Sequence, residues 1–262
     1  MNKLYLKSFQ FLQAYQHLDF NDIERHTIMS ILHLFFIIIV GYLIGSIPNA
    51  YFVTLFVKRI NIFEVGSGNM GGTNVARTLG LPWGIFTSVL DSTKGIVSVV
   101  VAQYLMTAPI TLVPSMATGL PEDLLIPSMV AGLAAVAGHN WSLFATLLYT
   151  YYQKNFEIRG GKGAATAFGT MLVMLPVFPN ILLLAVGITI ALITRYASLS
   201  VLVCFSVAFL WVIGWAYLTE AVSMYYILYA ILLAILIAWR FRENMERLIA
   251  GNERKLGDRV SS

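Results

Sequence analysis

The sequence predicts an all-α, polytopic membrane protein with about seven transmembrane helices, some of them short or re-entrant. Three observations predict it. Of 262 residues, 58% are hydrophobic and 11% charged, with a mean hydropathy of +0.76. A water-soluble domain does not carry that much apolar surface. The apolar residues fall in successive runs near the length of a bilayer crossing, and Lys and Arg collect in alternate connections between them.

The runs lie at 31–57, 80–106, 125–149, 164–176, 179–194, 199–218 and 222–240. A hydrocarbon core of about 30 Å takes about 20 helical residues. The fourth and fifth runs fall short of that and are expected to form a re-entrant pair joined at Pro176-Val-Phe-Pro179, shielded by their neighbours. Residues 1–30, with Lys3, Lys7 and Arg25, read as an N-terminal extension. The apolar run after them is longer than a signal-peptide core and lacks a small-x-small cleavage site. The expected organisation is an extension over 1–30, a membrane domain over 31–245 and a C-terminal tail over 246–262.

Lys58, Arg59, Arg77, Lys154, Arg159, Lys162, Arg195 and the tail from Arg240 to Arg259 fall on one side of successive spans. The opposite connections, 107–124, 177–179 and 218–222, contain no Lys or Arg. By the positive-inside rule the charged face is cytoplasmic, with the N-terminus outside and the C-terminus inside. The formal net charge of +4 sits in these loops, and no nucleic-acid partner is expected. Cys204 is the only cysteine, which excludes a disulfide within the chain and a multi-cysteine zinc site. His17, His26, His33 and His139 lack paired spacing, so neither a metal nor a cofactor is expected.

The chemistry concentrates on the charged face. Gly66-Ser-Gly-Asn-Met-Gly-Gly-Thr-Asn74 has four glycines, which let backbone N–H groups approach a ligand closely. Ser67, Asn69, Thr73 and Asn74 add short polar groups, and Arg77 adds a guanidinium fork suited to phosphate. A second loop, Arg159-Gly-Gly-Lys-Gly-Ala-Ala-Thr166, opens a helix. Gly160, Gly161 and Gly163 expose amides there beside the Lys162 ammonium, an anion site at a positive helix end. It is not a Walker A loop: Phe156 stands where the first glycine belongs, and no Ser or Thr follows Lys162. In Arg195-Tyr-Ala-Ser-Leu-Ser200, Ser198 and Ser200 either cap the next helix or contact a phosphate. Asp91 and Lys94, three residues apart, are expected to neutralise each other inside the second span. His139 is either a hydrogen-bonded interior histidine or a group that orients or deprotonates a hydroxyl. Asn244, in Arg242-Glu-Asn244, stands where the last span meets the charged face, and Glu246 and Arg247 read as a solvated helix end.

Taken in order, these blocks resemble the bacterial acyl-phosphate:glycerol-3-phosphate acyltransferases. The resemblance runs through Gly45-Ser-Ile-Pro48, the Gly66–Asn74 loop with Arg77, Leu90-Asp-Ser-Thr-Lys-Gly95 and Gly138-His139. It continues through Gly160–Thr166, Arg195–Ser200 and Arg242-Glu-Asn244. It implies seven spans in the bacterial inner membrane and transfer of a fatty acyl group from acyl phosphate to the 1-hydroxyl of glycerol 3-phosphate. The products it implies are lysophosphatidic acid and phosphate, with an acyl-phosphate-forming enzyme upstream. Carried onto this chain, Ser67, Asn69, Asn74, Arg77 and Lys162 hold the two substrates' phosphates, and Ser198, Ser200 and Asn244 complete the pocket. Three departures stand out. Phe241 replaces the family's usual His, Ser142 stands where the family has Pro, and an insertion around 145–154 carries Tyr149, Tyr151 and Tyr152.

Two other readings fit parts of the chain. Coenzyme A-dependent acyltransferases use a His-x4-Asp pair, and His17-Leu-Asp-Phe-Asn-Asp22 has that spacing. It lies in the polar extension with no Gly-rich block nearby. A transporter of a phosphorylated metabolite also needs cations, but along a path through the bilayer rather than crowded on one face.

Overall fold

The computed structural model describes residues 20–106, 120, 122–219 and 222–257. His17, most of the extension and the 107–119 connection lie outside the described residues. By contacts the chain divides into residues 1–36 and 37–262. The described part of the first is helical.

All the described regular structure is helical: α1 Phe20–Gly45, α2 Asn49–Lys58, α3 Gly72–Leu79, α4 Leu81–Leu105 and α5 Glu122–Asn140. These are followed by α6 Leu143–Gln153, α7 Ala164–Met174, α8 Val177–Thr194, α9 Ala197–Thr219 and α10 Met224–Ile249. Among the described residues six stretches are long and apolar enough to cross a bilayer: Ile31–Lys58, Leu81–Leu105, Asp123–Gln153, Val177–Thr194, Ala197–Thr219 and Met224–Ile249. The seventh apolar element, α7, has 11 residues, about 16 Å at 1.5 Å per residue, and cannot cross alone. Of the two runs expected to be short, then, only the first is. Starting at Val177 gives α8 18 residues, enough for a crossing.

The brevity of α7 is matched by its burial. Ala167, Thr170, Met171, Val173 and Met174 are buried, and the four apolar ones join Val99, Leu125, Val136, Tyr229, Leu233 and Ile237 in the largest apolar core. Reciprocal glycines bring α4 and α7 together. A Cβ on Gly95 would strike the Thr166 carbonyl, and one on Gly169 would strike that of Ser92. Close backbone approach through small residues is how helices gain contact where lipid offers no hydrophobic drive. Ser92 Oγ donates to Ala165 O at 3.0 Å, and Thr170 Oγ1 and Tyr229 OH are 2.5 Å apart.

Two spans are broken helices, and their breaks meet. The first parts at Ser46–Pro48, between α1 and α2, and the third at Trp141–Ser142, between α5 and α6. Ser142 Oγ donates to Ser46 O at 2.5 Å, Ser46 Oγ to Gly138 O at 3.3 Å, and Tyr42 OH to Trp141 O at 2.6 Å. Carbonyls freed by a break inside a membrane need such partners. Lys94 Nζ adds a bond to Ile47 O at 3.0 Å while pairing with Asp91 Oδ1 at 3.1 Å, and Asn49 Nδ2 donates to the same oxygen at 3.0 Å. The Asp91–Lys94 pair therefore neutralises itself, as expected, and also ties α4 to the first break.

Candidate active site

Beneath the first glycine loop lies a smaller core of Tyr51, Val53, Ile62, Phe63, Met70, Val75 and Ala145, which fixes the level at which the loop leaves the bundle. Gly66 and Gly68 adopt φ of +63° and +66°, the left-handed region that glycine enters without a Cβ penalty. Asn74 folds the loop onto itself. Its Oδ1 accepts from Ser67 N at 3.0 Å, and its Nδ2 donates to Val65 O and Asn69 O, each at 3.1 Å. Asn74 is 2% exposed, so its amide shapes the loop. The side chains of Ser67, Asn69 and Thr73, in contrast, stand partly exposed around it.

The second loop is gripped from outside. Gly161 N donates to His139 O at 2.8 Å and Met70 N donates to Gly160 O at 3.4 Å, joining the two loops. From α10, Arg240 Nε and Nη2 donate to Gly161 O at 3.1 and 2.6 Å. Gly161 has no room for a side chain, because a Cβ would collide with His139 Nε2 and crowd Met70 O. Gly163, at φ +74°, turns the chain into α7. His139 is 3% exposed. One imidazole nitrogen faces Asp91 at 3.7 Å and the other faces Gly161.

A strap formed by the chain after α10 closes the arrangement. Lys162 Nζ donates to Asn244 Oδ1, and Asn244 Nδ2 donates to Glu253 Oε1 at 2.7 Å. Glu253 also accepts from Ser198 Oγ at 3.1 Å and Arg247 Nε at 2.7 Å. Arg77 Nη2 donates to the next carbonyl, Arg254 O, at 3.1 Å. Leu256 exchanges bonds with Arg195, its N–H donating to Arg195 O at 2.6 Å and its carbonyl accepting from Arg195 Nη2 at 2.7 Å. Arg77 and Lys162 are thus linked through consecutive strap residues. The Phe241 ring lies 5.2 Å from Lys162 Nζ, an aromatic face for the ammonium.

Burial, and next the Arg247 guanidinium, push the Lys162 ammonium down to about 8. Burial would raise the Glu253 carboxyl, but hydrogen bonds from Arg247, Asn244 and Ser198 outweigh it and hold Glu253 below its ordinary range.

The structure therefore brings together the first loop, Gly160–Gly163, Lys162, Arg77, Ser198 and Asn244. Ser200 points elsewhere: its Oγ donates to Gly187 O at 2.6 Å, between α8 and α9. Neither Ser198 nor Ser200 caps a helix. Glu253, Arg240 and Arg247 are additional members of the site. A charged tail gives no periodic signal by which Glu253 stands out, and Arg247 at the end of α10 reads as solvated until its partner is seen.

Residues 35–251 match the family model described as glycerol-3-phosphate acyltransferase. The glycerol-3-phosphate acyltransferase of Thermoanaerobacter pseudethanolicus is 35% identical over 223 residues, 85% of this chain and 95% of the relative. That of Shouchella clausii is 36% identical over 230 residues, 84% and 94% of the two. The fold is similar to the crystal structure of PlsY (YgiH), an integral membrane glycerol 3-phosphate acyltransferase, in its glycerol 3-phosphate form. There the TM-score is 0.64 at 30% identity, over 86% of this chain and 96% of that one. The lysophosphatidic acid form gives 0.63 at 30% identity, over 86% and 95%. On the match across 35–251 and these relatives, the chain is an integral membrane member of the glycerol-3-phosphate acyltransferase family.

Proposed function

We propose that this protein transfers a fatty acyl group from acyl phosphate to the 1-hydroxyl of glycerol 3-phosphate, at the cytoplasmic face of the bacterial inner membrane. The reading draws on the relatives' activity, on the PlsY forms holding glycerol 3-phosphate and lysophosphatidic acid, and on one observation above all. Lys162 and Arg77 are linked through a single strap on the charged side of the bundle, and the partly exposed first glycine loop is bonded to the Lys162 loop through Met70 N and Gly160 O. Such a cluster can hold two phosphate-bearing molecules despite their mutual repulsion.

Acyl phosphate is a mixed anhydride, already activated, and needs no protein nucleophile or cofactor. The glycerol hydroxyl attacks the acyl carbonyl carbon, the carbon–oxygen bond to phosphate breaks, and the hydroxyl proton passes to the departing phosphate. Arg77, Lys162 and the loop amides offset the repulsion between the two anions, and alignment of the two substrates supplies much of the remaining rate. His139, wedged between Asp91 and Gly161, supports the second loop in this scheme. Ser67, Asn69 and Thr73 contribute hydroxyl and amide contacts to the phosphates, and Ser198 acts through its hydrogen bond to Glu253.

The test is a donor comparison. Purified protein in lipid should make lysophosphatidic acid from acyl phosphate and glycerol 3-phosphate, and should do so far more slowly from acyl-coenzyme A. Equal use of both donors would sink the proposal.

A further inference from the structure

Arg159, one residue before the second glycine loop, carries a guanidinium that the scheme above leaves unassigned. Its plane stacks 3.9 Å from the centroid of the Tyr149 ring, which belongs to α6 and to the tyrosine-rich insertion. Its Nη2 donates to Glu157 at 2.8 Å, while Nε is buried without a hydrogen-bond partner. Nη1 is turned to the first glycine loop, 3.7 Å from where a Cβ on Gly68 would stand. The backbone is pinned as well: Arg159 N donates to Thr146 Oγ1 at 3.0 Å, and Arg159 O accepts from Ser142 N at 2.9 Å. A planar fork stacked on an aromatic ring, with donors directed at a bare glycine loop, is arranged to receive an oxyanion.

The immediate surroundings say which anion. Lys162 and Arg77 are engaged with the polar strap. Arg159 instead follows Phe156 and Ile158, 72% and 59% exposed, and adjoins α6, whose Leu147 and Tyr151 are 57% and 67% exposed. Glycerol 3-phosphate has no chain that would use such a surface, whereas an acyl phosphate carries its anion on a long apolar tail. Building on the acyltransferase reading, we infer that Arg159, stacked on Tyr149 beside Gly68, binds the phosphate of the acyl donor, leaving Lys162 and Arg77 to glycerol 3-phosphate. The two phosphates would then sit at different cations, which keeps their charges apart.

Initial rates with each substrate varied in turn decide it. Arg159→Gln should raise KM for acyl phosphate about ten-fold, the loss of one charge-assisted contact of ~1.4 kcal/mol, and leave KM for glycerol 3-phosphate close to wild type. Lys162→Ala should do the reverse. Tyr149→Leu should follow Arg159→Gln more weakly and Tyr149→Phe should not, since the ring face carries the stacking. Binding of a non-transferable acyl phosphonate, measured without glycerol 3-phosphate, should weaken in Arg159→Gln at an unchanged thermal midpoint. Should Arg159→Gln fail to fold, Arg159→Lys keeps charge and stem but loses the fork, and should raise the same KM to a smaller extent. A rise in KM for glycerol 3-phosphate, a parallel rise in both with a lowered midpoint, or no change in either overturns the inference. A wild type that makes no lysophosphatidic acid overturns the reading beneath it instead.

Discussion

The two glycine loops lie against each other yet are built on opposite plans. The first is self-supporting. Asn74 reaches back to Ser67, Val65 and Asn69, so its three bonds span at most nine residues. The second makes its anchoring bonds to distant segments: His139 and Met70 through the backbone, Arg240 and Asn244 through side chains. A self-contained loop fails locally when its keystone is removed. A loop suspended between α5 and α10 is sensitive to changes in either helix. The difference also divides the roles, because the first loop offers short polar groups and amides while the second carries the cation.

The largest effects should come from the suspended loop. Lys162→Ala should lower kcat/KM for glycerol 3-phosphate by about a hundred-fold, the scale found when one preorganised charge-stabilising group is removed. Gly161→Ala should cost a similar factor by pushing against His139 Nε2 and Met70 O. Wild-type activity in both variants would break the comparison at its root. Next in size is Arg77→Ala, expected to lose about ten-fold, or ~1.4 kcal/mol of transition-state stabilisation. The keystone of the first loop should behave differently. Asn74→Ala leaves Ser67 N and two carbonyls without their partner and should destabilise by about 1–3 kcal/mol. It should lower the thermal midpoint as well as the rate, and a normal midpoint would show that the loop does not depend on Asn74.

The pH profile sharpens the same contrast. Lys162 loses its proton at about 8 in the folded protein, well below an ordinary lysine. As pH rises through that value the cation disappears, and kcat/KM should fall by about a decade per pH unit. Stability should move the other way, rising with pH above about 8, because the unfolded chain still holds the proton that the folded one has released. Lys162→Arg keeps its charge and should flatten the falling limb of the rate profile. If the limb stays in place, another group controls it.

What could be read from the sequence follows the same division. The first loop was legible because its glycines, its keystone and Arg77 sit within a dozen residues, and local geometry is what sequence spacing encodes. The helical spans were legible from hydropathy. Their breaks were not: the run 125–149 reads as continuous because Trp141 and Ser142 interrupt backbone bonding without interrupting apolarity. Glu253 was invisible for a different reason. It belongs to a charged segment after the last span, and only the turn at Gly251, with φ +70°, brings its carboxylate back onto Asn244, Ser198 and Arg247. The short α7 was visible in length but not in purpose, which depends on Gly95 and Gly169 meeting a partner helix.

The smallest expected effect lies in a pair of serines two residues apart. Ser198 Oγ donates to Glu253 and so bears on the group that orients the Asn244 amide, whose oxygen then faces Lys162. Ser200 Oγ donates to Gly187 O inside the α8–α9 packing. Ser198→Ala should raise KM for glycerol 3-phosphate by about two- to five-fold, the consequence of roughly 0.5–1 kcal/mol from one hydrogen bond. Ser200→Ala leaves a buried carbonyl to find another donor and should cost a comparable amount of stability, with KM near wild type. Titrating glycerol 3-phosphate against both variants, alongside their thermal midpoints, separates the outcomes. A KM effect at Ser200 as large as that at Ser198 would mean that substrate reaches deeper between α8 and α9 than the strap implies.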